Sequence, residues 1–258
     1  MTARLRAAGC VFAEEEAALL VSEAGEDGGR LEGMLAERES GRPLEVVVGW
    51  AEFLRLKIRV ADGVFVPRRR TELLVAVALR HVDATASPRV LDLCCGTGAA
   101  GSAVEAARPD AEVWASDVDP RAADCARTNL RAADRVLCGD LFAPLPGSLR
   151  GRFDVVIANA PYVPSGEVAF MPPEARDFEP LAALDGGQDG TAIQARIAGE
   201  AAEWLAPGGL LVVETSERQA VTTVGHLSTA GFAAGIVRDD ELDAVCATGS
   251  RHPTSGAA

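Results

Sequence analysis

The 258-residue chain has no apolar run near the ~20 residues that cross a bilayer, so no membrane association is expected. Its opening stretch, Met1 to Cys10, lacks the long apolar segment of a secretory leader, and the cytoplasm is the expected compartment. Cysteine is too sparse for a disulfide framework: Cys10, Cys94, Cys95, Cys125, Cys138 and Cys246 have neither the density nor the spacing. There is no C-x-x-C pair, and adjacent cysteines seldom close a tetrahedral site. Cys94 and Cys95 are therefore expected to be small buried hydrophobes, and no metal is expected. The three histidines, His81, His226 and His252, fall in helical patterns or the tail, and none is assigned chemistry. Positive charge is short as well: 25 Lys+Arg face 38 Asp+Glu, a net charge of −13. Tight, non-specific binding to a nucleic-acid backbone needs clustered cations and is not expected. What is present, 48% hydrophobic and 24% charged residues, is the composition of a globular protein. The length fits one large domain, or a catalytic domain with a small partner.

Residues 1–62 read as a small helical cap and a hairpin. Glu14-Glu15-Glu16 leads into Ala17, Ala18, Leu19, Leu20 and Val21, a helix with acids in its first turn. Gly25 to Arg30 reads as a loop, and Leu31, Met34 and Leu35 recur at helical spacing. Glu45–Val48 and Phe53–Val60 are expected as strands, the second burying Leu54, Leu56, Ile58 and Val60 on one face. From residue 63 to 250, strand and helix alternate. Strands are expected over Arg89–Cys95, Val113–Asp117, Val136–Asp140, Phe153–Ala158, Gly209–Glu214, Phe232–Val237 and Ala244–Thr248. Helices are expected over Ala99–Arg108, Pro120–Ala133, Gln188–Leu205 and Ser216–Ala230. The pattern predicts an α/β fold, a doubly wound, mostly parallel seven-stranded sheet with helices on both faces and ligand loops along one edge. Arg251 to Ala258 is polar and small, and is expected as a flexible tail.

Gly96-Thr97-Gly98-Ala99-Ala100-Gly101 satisfies G-x-G-x-x-G, a weak signal by itself. One reading is a dinucleotide site with pyrophosphate at the helix N-terminus. The other is an S-adenosylmethionine site, where the turn packs against the amino-acid moiety and ribose. Asp92, just before the turn, would repel a pyrophosphate and suit the ammonium of a methionyl group. Asp117, ending the second strand, suits paired ribose hydroxyls and serves either ligand. Asp140, ending the third, would accept from an adenine amino group. The competing structural reading is that Asp117 and Asp140 only cap the following helices.

Asn159-Ala160-Pro161-Tyr162 follows the fourth strand, and Tyr162 is the only tyrosine. Asn159 Oδ1 and the Ala160 carbonyl can each accept a hydrogen bond from one –NH2 group. Tyr162 offers a stacking face and Pro161 restricts the backbone. Such a clamp suits methylation of an amide or exocyclic amine, whose lone pair is delocalised. Two acceptors draw charge toward that nitrogen, and proximity and electrostatics do the rest. The structural alternative is an ordinary Asn/Pro turn.

These residues resemble the class I, Rossmann-like S-adenosylmethionine-dependent methyltransferases. Within that class the chain resembles the HemK-type protein-(glutamine-N5) methyltransferases, which modify the glutamine of the Gly-Gly-Gln motif in peptide chain release factors. Arg42-Pro43-Leu44, Gly49 and Phe53 match the family's hairpin, and Val64-Phe65-Val66-Pro67-Arg68 with Thr71-Glu72-Leu73-Leu74-Val75 is similar to its PRPETE segment. Asn159 to Tyr162 is similar to Asn-Pro-Pro-Tyr, followed by Glu179-Pro180, Ala183 to Gly187 and Asp189-Gly190. The resemblance implies that Asn159, Ala160, Pro161 and Tyr162 bind the substrate amide. It implies a cofactor pocket formed by Phe65, Asp92, Cys94, Cys95, Gly96, Thr97, Gly98, Asp117, Val118, Asp140, Leu141 and Asn159. It also implies a protein partner carrying a glutamine, a release factor in the family. Departures are Ala160 for the first Pro, Arg69-Arg70 for Pro-Glu, Cys94-Cys95 for a Gly-Ser/Thr pair, and an N-terminal region shorter than the family's docking domain. They read as a divergent paralogue. Gly186-Gly187-Gln188 spells the family's target motif, although a Gly-Gly pair is expected there anyway.

Two other enzymatic readings stand beside this one, methylation of a nucleic-acid base or of a small-molecule amine or amide. Base methylation is disfavoured by the net charge of −13. A non-catalytic cofactor-binding module is the third class, disfavoured by intact Asn159 and Tyr162.

Overall fold

The computed structural model describes residues 1–252. Four short helices open it: α1 Thr2–Ala7, α2 Ala13–Ala24, α3 Gly28–Glu39 and α4 Leu44–Val48. They enclose a core of their own, in which Leu5 and Leu20 meet Met34 and Leu35. Two expectations fail here. Gly28 and Gly29 belong to α3 rather than a loop, because Asp27 caps it by accepting the Arg30 N–H at 2.9 Å. Leu44–Val48 is a helical turn rather than a strand. Pro43 enters it, Gly49 closes it at φ 83°, and Val47 and Val48 pack on the helical core. The β-branched run there bends to tertiary packing.

The hairpin exists but is shifted: β1 Trp50–Phe53 pairs antiparallel with β2 Leu56–Arg59. Its turn is Leu54-Arg55, both at positive φ (48° and 62°), with no glycine or asparagine to announce it. Leu54 is consequently exposed, while Ile58 and Val60 are buried as expected.

The main body follows as α5 Glu72–His81, β3 Arg89–Leu93, α6 Ala99–Ala107, β4 Glu112–Asp117, α7 Pro120–Asn129, β5 Val136–Cys138 and β6 Phe153–Ala158. Then come α8 Pro173–Phe178, α9 Leu181–Leu184, α10 Ala192–Trp204, β7 Leu205–Thr215, α11 Ala220–Thr229, β8 Ala233–Asp239 and β9 Ala244–Ser250. The seven-stranded sheet runs β5-β4-β3-β6-β7-β9-β8. Its first five strands are parallel, and β9 is antiparallel to both β7 and β8. Alternate residues of buried strands face opposite layers: Val90, Val155 and Val212 meet α5 and α6, while Leu91, Val156 and Leu211 meet α10 and α11. The chain builds outward from β3 in one direction and from β6 in the other. The crevice beyond the carboxyl ends of β3 and β6 is therefore the topological switch point, where an open α/β sheet takes its ligand.

Some boundaries moved. α7 stops at Asn129, whose side-chain amide donates to the Arg59 and Thr97 carbonyls, and Leu130 turns extended. α10 starts only at Ala192, after Asp189 accepts the Thr191 N–H, and Leu205 already belongs to β7. α11 starts at Ala220. Arg251 is hydrogen-bonded to Gly208 and Gly209, and residues 253–258 of the expected tail lie outside the described residues. No helix among the described residues is long and apolar enough to cross a membrane.

Candidate active site

A cleft opens to solvent at the switch point, lined by the loops that leave β3, β4, β5 and β6. Its floor is the turn after β3. Cys94 sits at φ 57° and Gly96 at φ 53°, so the chain reverses tightly before α6. At Gly96 an added Cβ would meet nothing nearer than the Phe65 carbonyl at 4.0 Å, leaving its backbone face open to the cleft. Gly98, by contrast, is set back from the cleft. Its missing Cβ admits Ala126 and Leu130 of the α7 end, at 3.1–3.3 Å. Gly101 is bare for a similar reason, because a Cβ there would crowd Leu130, Val113 and Asp92.

Asp92, Asp117 and Asp140, the three acids expected from the sequence, all line the cleft, as does Asp119. Asp92 is buried, and its Oδ2 accepts the Gly101 N–H at 2.8 Å. Burial pushes its carboxyl up to about 7; the Gly101 bond opposes this and nearby Asp117 adds to it. Asp117 accepts the Gly96 N–H on Oδ2 and the Asp119 N–H on Oδ1, both at 2.9 Å. Each oxygen keeps a lone pair, since a carboxylate offers about four acceptor sites. Asp117 therefore does not cap α7, which Asp119 caps by accepting the Arg121 N–H; it pins the Gly96 turn instead, and still faces the cleft. Burial raises its carboxyl too. Asp140 lies at the mouth, 2.6 Å from Arg196, and Val118 and Leu141 supply apolar walls beside it.

The loop after β6 forms the far wall. Asn159, Ala160, Pro161 and Tyr162 all line the cleft. Asn159 Nδ2 donates to Thr71 Oγ1 at 3.1 Å, and the Thr71 hydroxyl donates to Glu214 Oε2 at 2.7 Å. Glu214 is the next-to-last residue of β7, one strand along, and is 2% exposed. Its Oε1 accepts from the Tyr162 hydroxyl and from Arg70 Nε, each at 3.2 Å. Burial raises the Glu214 carboxyl, against the pull of Thr71, Arg70 and Tyr162. The Arg70 guanidinium also lies over the Tyr162 ring, 5.7 Å from its centroid. Among the described residues, no N–H donates to the Ala160 carbonyl or to Asn159 Oδ1.

The segment from Val163 to Gly190 roofs this wall. Val163 and Asp185 form a β-bridge, and Gly186 N–H donates to the Val163 carbonyl at 2.8 Å. Gly186 lies so close to the Pro161–Tyr162 backbone that a Cβ would meet it at 2.7 Å. Glu179 anchors the roof to the segment before α5, accepting from Val66 N–H at 3.2 Å and Arg68 Nη2 at 2.6 Å. Arg38 of α3 does the same from the cap: it holds Glu16 at 2.7 Å and Glu174 of α8 at 2.6 Å.

Of the sequence-expected residues, all but Gly98 line this one cleft. Sequence reasoning missed Glu214, which read only as a strand end, and the exchange of hydrogen bonds among Glu214, Thr71 and Asn159. Their only signal is a buried-strand acid adjacent in the sheet to the Asn159 strand. The turn is faced by the carboxylates of Asp92 and Asp117, while the arginines that line the cleft, Arg68, Arg70 and Arg196, are paired with Glu179, Glu214 and Asp140.

The family model described as "Methyltransferase small domain" matches residues 55–171. A release factor glutamine methyltransferase of Gloeobacter violaceus is 40% identical over 195 residues, covering 74% of this chain and 67% of its own. One from Bifidobacterium longum is 36% identical over 252 residues, covering 91% and 85%. Among solved structures, the hMettl16 catalytic domain bound to the MAT2A 3′UTR hairpin 6 shares the fold, with a TM-score of 0.60 at 13% identity over 87% of this chain and 81% of that one. With relatives this similar over two thirds or more of their length, the chain belongs to the release factor glutamine methyltransferase family.

Proposed function

We propose that this chain methylates the side-chain amide nitrogen of a protein glutamine, with S-adenosylmethionine as donor and a peptide chain release factor as acceptor. One observation carries the reading. At the cleft wall, Asn159 Oδ1 and the Ala160 carbonyl stand side by side in sequence, and neither receives a proton from the protein. Two bare acceptors match the two protons of a primary amide. Accepting both pulls electron density toward the amide nitrogen, which is otherwise a poor nucleophile, and fixes where its lone pair is aimed. Replacing the first proline of the family loop by Ala160 leaves this contact intact, because it comes from the main chain. Tyr162, held by Glu214 and covered by Arg70, offers a ring edge and face to the planar amide.

The remaining lining would hold the donor. Asp92 suits the ammonium, Asp117 the ribose hydroxyls through its spare lone pairs, and Val118 and Leu141 the faces of the adenine. When bound, the cofactor supplies a methyl carbon made electrophilic by its sulfonium. The chain needs no strong base, since the proton of the acceptor nitrogen can leave to solvent after methylation. The acidic floor also keeps phosphate-bearing ligands out.

The relatives' names point to release factors as acceptors, and the family's resemblance to the sequence of this loop points the same way. The test is tritiated-methyl transfer from S-adenosylmethionine to purified release factor, to tRNA and rRNA, and to small amides. Label on a release-factor glutamine is expected, and is lost in Asn159→Ala while cofactor affinity stays within about tenfold, about 1.4 kcal/mol. Label on RNA alone refutes the reading.

A further inference from the structure

We propose that Glu214 is a positioning residue that, relayed by Thr71, decides which end of the Asn159 amide faces the cleft. The functional consequence rests on the acceptor reading above; the orientation itself does not.

Glu214 is a carboxylate near the end of β7, 2% exposed, with donors converging on both oxygens. Oε1 receives the Tyr162 hydroxyl and Arg70 Nε, and Oε2 receives the Thr71 hydroxyl. An ionised carboxylate only accepts, so the single Thr71 proton must point at it. Thr71 Oγ1 then has lone pairs alone to offer Asn159, and the atom it meets at 3.1 Å must be the NH2 end. Oδ1 is left for the cleft by elimination. Arg70 and Tyr162 matter because they satisfy Oε1: Arg70 can only donate, and both favour the charged carboxylate against the burial that opposes it. One carboxylate thus orients both the amide and the phenol of the acceptor loop, from an adjacent strand of the sheet.

If the relay ran the other way, Thr71 would donate to Asn159 Oδ1 and the NH2 group would face the acceptor's own NH2, donors against donors. Buried Glu214 Oε2 would also be stripped of its partner. A neutral amide clamp has no charge to make its orientation self-evident, so something must choose it.

The test uses the full chain with selective side-chain ¹⁵N labelling of asparagine. Asn129 is the only other asparagine, so two NH2 pairs are observed, and Asn159→Asp assigns one of them. In the wild type one Asn159 proton should be protected from exchange. The protection should persist in Thr71→Ser and vanish in Thr71→Val. In parallel, kcat toward a glutamine-bearing release factor should fall about 10- to 100-fold in Thr71→Val, with KM for S-adenosylmethionine little changed, and recover to within a few-fold in Thr71→Ser. Glu214→Gln should behave like Thr71→Val, because its amide can donate to Thr71 and release the threonine proton toward Asn159. Two freely exchanging Asn159 protons in the wild type, or protection unchanged in Thr71→Val, would overturn the proposal. A wild type that modifies no release factor would refute the acceptor reading instead, and the exchange data would still decide the orientation.

Discussion

Asp92→Asn should make the protein more stable and a poorer binder of its cofactor, and both effects should depend on pH. The folded-state carboxyl titrates at about 7 against an ordinary value of 3.8, mainly because it is buried. That difference is worth on the order of 4 kcal/mol. Because the folded value is the higher one, the folded protein keeps a proton that the unfolded chain has released. The penalty is absent below about pH 4, where both states are protonated, and grows as pH rises to about 7, where it is complete. Asparagine can keep the Gly101 bond through its oxygen, but it buries an NH2 group without an evident partner, which costs about 1–3 kcal/mol. The net expectation is a gain of about 1–3 kcal/mol at pH 8 and a loss of similar size at pH 4, with the two melting curves crossing between. For a chain of this length each kcal/mol moves Tm by about 2–4 °C. The assay is calorimetric melting of ligand-free wild type and variant from pH 4 to 8.5. If the ammonium of the donor is met by this carboxylate, wild-type affinity should rise with pH through about 7 and level off, while the variant's affinity stays low and flat. Melting profiles that run parallel across the whole range would refute the reasoning.

Asp117→Ala should weaken S-adenosylmethionine binding about 10- to 100-fold by titration calorimetry, the loss of hydrogen bonds to a charged group. Unchanged affinity would confine Asp117 to pinning the turn. Gly190→Ala should destabilise by about 2–4 kcal/mol in urea melts, since a Cβ at φ 77° would lie 2.3 Å from the Tyr162 carbonyl and from Gln219 Nε2. Arg38→Ala should cost about 3–5 kcal/mol by leaving Glu16 buried without its cation, and Arg38→Met with Glu16→Leu should recover most of it. A single variant as stable as wild type would show that the pair is solvated in solution.

The expected bounds of β4 and of the edge strand β5 fall within two residues of the observed ones. Those of β3 do too, and Phe153–Ala158 matches β6 to the residue, because these two central strands are buried on both faces. Such runs have few other ways to be buried. The opening sixty residues were harder, for reasons visible at particular positions. Val46-Val47-Val48 looks extended by propensity and becomes a helical turn because a core of other helices receives it. The hairpin turn at Leu54-Arg55 uses positive φ without the residues that normally signal it. The site divides in the same way. Acids and an asparagine at successive strand ends can be seen in order along the chain, because an α/β fold gathers strand ends at one edge. Glu214 could not, since its importance comes from lying beside β6 in space, some fifty residues later in sequence. Gly98 was placed in the pocket by its motif, whereas helix packing against Ala126 accounts for it.

Arg38 has a consequence for how the chain can be divided. It stands in the small helical cap, yet one of its two carboxylate partners, Glu174, belongs to the roof over the Asn159 loop, and Gly41 next to it sits within reach of the Phe178 ring. A fragment starting at Val64 would retain every residue of the clamp and still lose a guy-rope on its ceiling. Trimming the protein to its larger, site-bearing part should therefore slacken the chamber in which the acceptor is held, well before it touches any group that does chemistry.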